Sequence, residues 1–381
     1  MKKYLVFVFF FAFIFNFTVS AQTDEGYQFK MIKELPATPV KNQAATGTCY
    51  TFSTISMLES ELLRMGKGEY DLSEMFMIYN FYLAKAERYI RMHGEVSFPT
   101  GGAANDVVDY INKVGLVPEE VYSGLNYGSK FHNHGELHPV LENYLQTITQ
   151  KGKVVSTMWK RGMEALLNTW LGDYPSTFTY KGKTYTPQSF AKELGLNPSD
   201  YILITSFNHH PFYEKFVMDV PDNWTWQSAW NVPIDDLEKI IDNAIMKGYT
   251  VTWATDLGGG QATSNGDVYV VLQQDITKMK RDEVQALFKN PIPEKSITQD
   301  IRQQAYDNYQ TTDDHGMHIT GIANDQTGAK FYYVKNSWGV RGKYNGYIYV
   351  SAPFLRLSTT TILVNKHGIP SEIAEKLGIK Q

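Results

Sequence analysis

The chain has 381 residues, 43% hydrophobic and 20% charged, a globular composition that excludes collagen-like, coiled-coil and wholly disordered chains. With 36 basic against 40 acidic residues the formal net charge is −4, so no nucleic-acid partner is expected, because such binding rests on a positive surface.

The N-terminus carries Lys2 and Lys3, an apolar run from Tyr4 to about Phe17, and small residues at Val19, Ser20 and Ala21. That pattern predicts a signal peptide over 1–21, cleaved after Ala21 to leave Gln22 first. The run falls short of the roughly 20 apolar residues that span a bilayer, so no stable membrane insertion is expected after cleavage. The mature protein is expected in the periplasm or outside the cell. A linker to about residue 36 follows.

Cys49 is the single cysteine. Exported chains use structural cysteines in pairs, so Cys49 has no intramolecular partner and is either a packing residue or a working thiol. Phe52, Ile55, Leu58, Leu62 and Met65 recur at spacings of three and four, which predicts a helix starting at Cys49 and stopping at Gly66. A helix start favours negative charge and is expected to lower a thiol pKa from about 8.5. Gln43, six residues before the cysteine, offers an amide donor to an oxyanion forming beside the sulfur.

Further helices are predicted over Asp71 to Arg91 and Asp106 to Val114, with Gly101-Gly102 between them. A polar, aromatic helical insertion is read over about 128–208. Within it His132, His134 and His138 with Glu136 read as a solvated loop rather than a zinc site. Beyond it come a helix over Asp236 to Met246 and strands over Thr250 to Ala254, His315 to Ala323, Lys330 to Lys335, Tyr347 to Val350 and Thr360 to Val364.

The turn Asn324 to Gly328 makes the second and third strands of that series a hairpin in which opposed residue numbers sum to about 652. His315 and Asn336 then come nearly opposite each other, where the asparagine amide can fix the imidazole tautomer. His318 is the competing histidine, but alternation puts it on the other face of its strand.

Gln43, Cys49, His315 and Asn336-Ser-Trp-Gly339 resemble the papain-like cysteine peptidases, and among them the bleomycin hydrolase and aminopeptidase C branch. His315 follows Cys49 by 266 residues, whereas papain itself places its histidine about 130 to 150 residues on. The branch with an inserted helical region accommodates that distance. Leu171-Gly-Asp-Tyr-Pro175, Asn231-Val-Pro-Ile-Asp235 and Lys366-His-Gly-Ile-Pro370 match the branch in the same order. Three features depart from it: Thr46 stands where many papain relatives have a disulfide cysteine, Thr48 and Tyr50 replace the usual arginine and tryptophan beside the nucleophile, and the tail Gly378-Ile-Lys-Gln381 is short.

The resemblance implies an α+β, two-lobed papain-like fold, with a helical left lobe over about 37–127, the insertion, an antiparallel β right lobe over about 209–370 and a tail over 371–381. It implies a Cys49, His315 and Asn336 triad, an oxyanion donor in Gln43, a shield in Trp338 and a peptide-binding edge at Gly101 and Gly102. It also implies peptide substrates, no metal or other cofactor, and a homo-hexamer. Aminopeptidase and endopeptidase action both remain open. In the branch a C-terminal arm restricts cleavage to the substrate's amino end, so a tail unable to reach the cleft is expected to leave it open to blocked peptides. A silent peptide- or protein-binding module is the other reading, and the complete Gln-Cys-His-Asn set weighs against it.

Overall fold

A computed structural model describes residues 26–150, 154–258, 262–274, 276 and 278–381. The expected signal peptide and its cleavage point lie outside the described residues. The stretch read as a linker contains a strand, β1 (Phe29–Glu34), which pairs antiparallel with a distant strand of the right lobe. Phe29 anchors it by stacking on Tyr349 with ring centroids 3.7 Å apart.

Three helices build the left lobe: α1 (Cys49–Arg64), α2 (Glu74–Arg91) and α3 (Ala104–Val114). Burial runs along α1 from Tyr50 to Leu62, so it is a central helix rather than an amphipathic surface one. The Ser73 side chain starts α2 by accepting the Phe76 N–H.

The insertion contributes α4 (Leu137–Ile148), α5 (Trp159–Leu171), a short hairpin of β2 (Phe178–Tyr180) and β3 (Lys183–Tyr185), and α6 (Pro187–Leu194). Leu137, Leu141, Leu145, Met163 and Leu167 share one core with Phe76 and Met77 of α2, so the insertion thickens the left lobe instead of forming a separate body. The histidine patch is a loop with Asn133, Gly135 and Glu136 exposed, as expected, but its histidines are drawn in. His134 is buried with Nδ1 3.2 Å from the Tyr82 hydroxyl, and His138 Nε2 donates to the Phe98 carbonyl at 2.7 Å, so aromatic packing draws the patch inward.

The right lobe follows with β4 (Tyr201–Thr205), β5 (Lys215–Val217), β6 (Ser228–Asn231), α7 (Ile234–Lys247), β7 (Val251–Thr255), β8 (Ala262–Ser264), β9 (Val268–Val271), α8 (Arg281–Leu287) and α9 (Gln299–Asp307). It continues through β10 (His315–Asp325), β11 (Lys330–Lys335), β12 (Tyr347–Ser351), α10 (Ala352–Ser358), β13 (Thr359–Asn365) and α11 (Ser371–Lys376). The sheet runs β5-β6-β4-β13-β7-β10-β11-β12-β9-β8, with β1 on β10. β4 corrects the expected end of the insertion: residues 201–204 pair with β13, Thr205 pairs with Asn231 of β6, and all belong to this sheet.

Strand alternation decides what faces what. Trp253 and Met317 point to the core that contains Leu237 and Ile241 of α7. Their neighbours point the other way, with Thr252 Oγ1 3.3 Å from Met57 Sδ and His318 Nδ1 2.9 Å from Ser56 Oγ. The sheet is thus sandwiched, α7 on one face and α1 on the other.

Arg302 of α9 is buried and clasps three chain ends: Nε donates to the Ser206 carbonyl at 2.6 Å, Nη1 to the Arg356 carbonyl at 2.8 Å, and Nη2 to the Thr359 carbonyl. Arg302→Met would strand those carbonyls at about 1 to 3 kcal/mol each. Urea unfolding should show a loss of several kcal/mol, and an unchanged midpoint would refute this account of the clasp.

Candidate active site

The N-terminus of α1 and the start of β10 meet at Gly316. A Cβ built there would lie 3.1 Å from the Tyr50 N and Cα and 3.0 Å from Ser53 Oγ, tighter than an ordinary contact, so glycine eases this approach. Cys49 precedes Tyr50 and His315 precedes Gly316, and the packing contact therefore brings sulfur and imidazole to one cavity. The Gly316 backbone N–H donates to the sulfur.

His315 Nε2 lies 2.8 Å from Asn336 Oδ1, which leaves Nδ1 for the sulfur side. The side chains of these two residues meet as expected, although the register differs from the sequence estimate of about 652: opposed numbers sum to 653 where β11 pairs Lys335 with His318 and Val334 with Ile319, and to 654 beyond a bulge before Gly321. Trp338 stacks on His315 with centroids 4.7 Å apart and planes at 27°, and the Arg341 guanidinium lies 4.5 Å from the Trp338 ring centroid. Trp338 thus covers the imidazole from solvent.

Gln43 is held from both ends. Its Oε1 accepts from Ser337 Oγ at 2.6 Å and its Nε2 donates to the Thr46 carbonyl at 2.9 Å, while its backbone N–H donates to the Ser337 carbonyl. One amide proton of Nε2 is left over. Ser337 was not singled out from the sequence, although its place directly after Asn336 was a signal. His318 is placed elsewhere, buried against Ser56 beneath α1.

The departures at 48 and 50 shape the wall. Thr48 is buried with its hydroxyl 2.6 Å from that of Thr46. Tyr50 fills the space against Gly102, where an added Cβ would lie 2.8 Å from its ring. Gly102 thus lines the Cys49 cavity, with Gly101 directly before it, and Asp222, Asp313 and Asp314 line it too. These acids went unremarked in the sequence.

Electrostatics reverse one expectation. Burial pushes the Cys49 thiol up to about 11, opposed by the Gly316 and Tyr50 N–H groups, whereas its helix-start position alone predicts a fall. Burial likewise pushes the His315 imidazole below its ordinary range. Both shifts penalise a lone charge, so the two groups together hold one proton across the neutral range, shared within the pair. Burial and then Asp313 push Asp222 up to about 7.

With this geometry in view, the comparisons decide the family. The model of the peptidase C1-like family matches residues 90–380. The chain belongs to that family. The matched span includes His315 and Asn336 and begins beyond Cys49. Rat bleomycin hydrolase is 24% identical over 88% of this chain and 82% of its own length. Aminopeptidase C of Listeria monocytogenes is 22% identical over 90% and 83%, respectively. The crystal structure of PepW from Lactobacillus rhamnosis HN001 superposes with a TM-score of 0.70 at 20% identity, covering 92% of this chain and 84% of that one. The fold is the papain-like α+β fold of the C1 peptidases, and the protein is a cysteine-type peptidase of the bleomycin hydrolase and aminopeptidase C branch.

The shared proton predicts a pH profile. Protonating the pair a second time puts a charge on a buried imidazole, so the reactive one-proton state persists below pH 6.5, the ordinary histidine value. Alkylation of Cys49 by iodoacetamide should therefore stay flat through neutrality and fall only below that value. A midpoint at or above it would contradict the burial argument.

Proposed function

We propose that Cys49, His315 and Asn336 form the catalytic triad and that the protein is an exported hydrolase of peptide bonds. The observation that carries the reading is the convergence of the lone thiol and an Asn336-oriented imidazole on one cavity. Cys49 sulfur attacks the peptide carbonyl carbon as its proton passes to His315. The tetrahedral oxyanion is met by the free Nε2 proton of Gln43 and by the Cys49 backbone N–H. His315 then protonates the leaving amine, the C–N bond breaks and a thioester remains. Water, deprotonated by His315, attacks that thioester, and the acid and free thiol are released. Every proton is returned and no cofactor enters the balance.

Asn336 makes no bond to the substrate. Its Oδ1 holds Nε2 and so keeps Nδ1 directed toward the sulfur, with Trp338 limiting competition from water. Export rests on the N-terminal signal pattern, and a hexameric assembly rests on likeness to the bleomycin hydrolase branch. N-terminal sequencing of the secreted protein should begin at Gln22, and sedimentation should give six copies.

The decisive measurement is peptide hydrolysis after one equivalent of a thiol-directed alkylating agent, which should abolish turnover, as should Cys49→Ala. Full activity in Cys49→Ala would end the assignment. His315→Ala should cost about two to four orders of magnitude in kcat, whereas His318→Ala should act mainly on stability. Asn336→Ala should keep measurable turnover. A larger kinetic loss in His318→Ala than in His315→Ala would reassign the base.

A further inference from the structure

The β5–β6 connection, residues 218–227, leaves the right-lobe sheet and docks on the left lobe. Trp224 is buried beside Phe81 of α2 and Tyr110 of α3, with ring centroids 6.5 and 6.4 Å away, and its Nε1 donates to Asp106 Oδ2 at 2.7 Å. Thr225 Oγ1 donates to Asp106 Oδ1 at 3.2 Å, and the Arg88 guanidinium lies 4.1 Å from the Trp226 ring centroid. Asn223 stiffens the loop internally by donating Nδ2 to the Met218 and Gln227 carbonyls. On the right-lobe side the Asp222 N–H donates to Asp313 Oδ2 at 2.8 Å. The loop is pinned to both lobes and therefore bridges the cleft.

Its crossing point falls on the substrate path. A Cβ added to Gly101 would lie 1.9 Å from Asp222 Oδ2, so this carboxylate already covers part of the bare Gly101-Gly102 edge. Asp222 also lines the cavity that holds Cys49, His315 and Gly102. His315 gives its proton to the leaving amine, which puts the leaving portion of a peptide on the Trp338 side. The acyl portion, with the substrate's amino terminus, then lies toward Gly101 and Gly102. A long acyl portion meets the loop, whereas a short one ends with its ammonium beside Asp222. Lys85, the nearby cation, is held behind that edge by the Pro99 and Gly101 carbonyls.

The described residues after β13 lie away from this edge. Gln381 Nε2 donates to the Lys366 carbonyl at 2.8 Å and the Ile369 carbonyl at 2.6 Å, which seats the described tail just beyond the Asn365 end of β13. His315 pairs with Thr255, at the opposite end of the β7–β13 ladder.

We propose that the β5–β6 loop closes the acyl end of the cleft and that Asp222 is its specificity-determining residue, receiving the free α-ammonium of a peptide so that cleavage is confined to amino-terminal residues. This rests on the cysteine-peptidase reading of the same cavity.

One fluorogenic peptide, with a free or an acetylated amino terminus, tests it in the mature chain. The free form should be favoured about a hundredfold in kcat/KM. Asp222→Asn should shrink that preference to a few-fold, mainly through KM, and Asp222→Glu should restore part of it. Trp224→Ala, which unpins the loop away from the reacting atoms, should raise hydrolysis of the acetylated form. Equal cleavage of both forms by the wild type, or an undiminished preference in Asp222→Asn, overturns the proposal while leaving the peptidase reading intact. Failure of the wild type and of Trp224→Ala to cleave either form, with Cys49 still alkylated stoichiometrically, overturns the peptidase reading itself and the proposal with it.

Discussion

The site depends on how closely one strand of the right lobe approaches the first turn of α1. At Gly316 the two backbones come so close that an added Cβ would lie 3.1 Å from the Tyr50 backbone and 3.0 Å from Ser53 Oγ, tighter than an ordinary contact. Because Cys49 and His315 are the covalent neighbours of the residues in contact, a packing constraint becomes a chemical one. A side chain here would require its neighbours to give by a few tenths of an ångström, and any outward shift of β10 would carry the imidazole with it. The burial of α1 from Tyr50 to Leu62 resists such a shift, because sliding the helix would disturb contacts on every side.

Polar contacts then fix the register of that seam. Glu59 of α1 is buried, accepting from the Thr38 hydroxyl and the Leu72 N–H, while Lys41 reaches Glu74 at 2.9 Å and Asp71 at 2.6 Å. Lys335 at the end of β11 donates to Thr38 Oγ1 at 3.1 Å and to Ser56 Oγ at 2.7 Å, and Ser56 in turn contacts His318. An unpaired charge here would cost several kcal/mol, so each member holds the others in place. Directional contacts of this kind exclude the small displacements that apolar packing alone tolerates. Lys335 directly precedes Asn336, and the network therefore also fixes where the amide that orients His315 begins.

Residues whose roles come from local pattern were legible in the sequence. The spacing behind Cys49 carried α1, alternation separated His315 from His318, and the hairpin turn brought Asn336 within reach of His315 despite a register that differs by one to two residues. What the sequence concealed came from distant encounters. β1 reads as a linker because its partner lies almost 300 residues away in β10. Residues 201–205 read as part of the insertion because only pairing with β13 and β6 makes them sheet. The Cys49 thiol read as acidified because its helix position is local, whereas the burial that outweighs it comes from both lobes. Asp222 carried no periodicity and no motif, and its importance appears only where its loop meets Gly101.

A bridging loop and a terminal arm constrain a cleft differently. An arm held at one point keeps the conformational freedom of a chain end, and ordering it costs entropy each time it enters the site. The β5–β6 loop has both ends fixed in the sheet and its middle fixed by Trp224, so that cost is met once, during folding. The same attachment couples it to the geometry of the lobes. Asp106 starts α3 by accepting the Ala103 N–H, and Ala103 directly follows Gly101-Gly102. The carboxylate that receives Trp224 therefore also sets the glycine edge that Asp222 covers, and loop and glycine edge are positioned by one buried side chain.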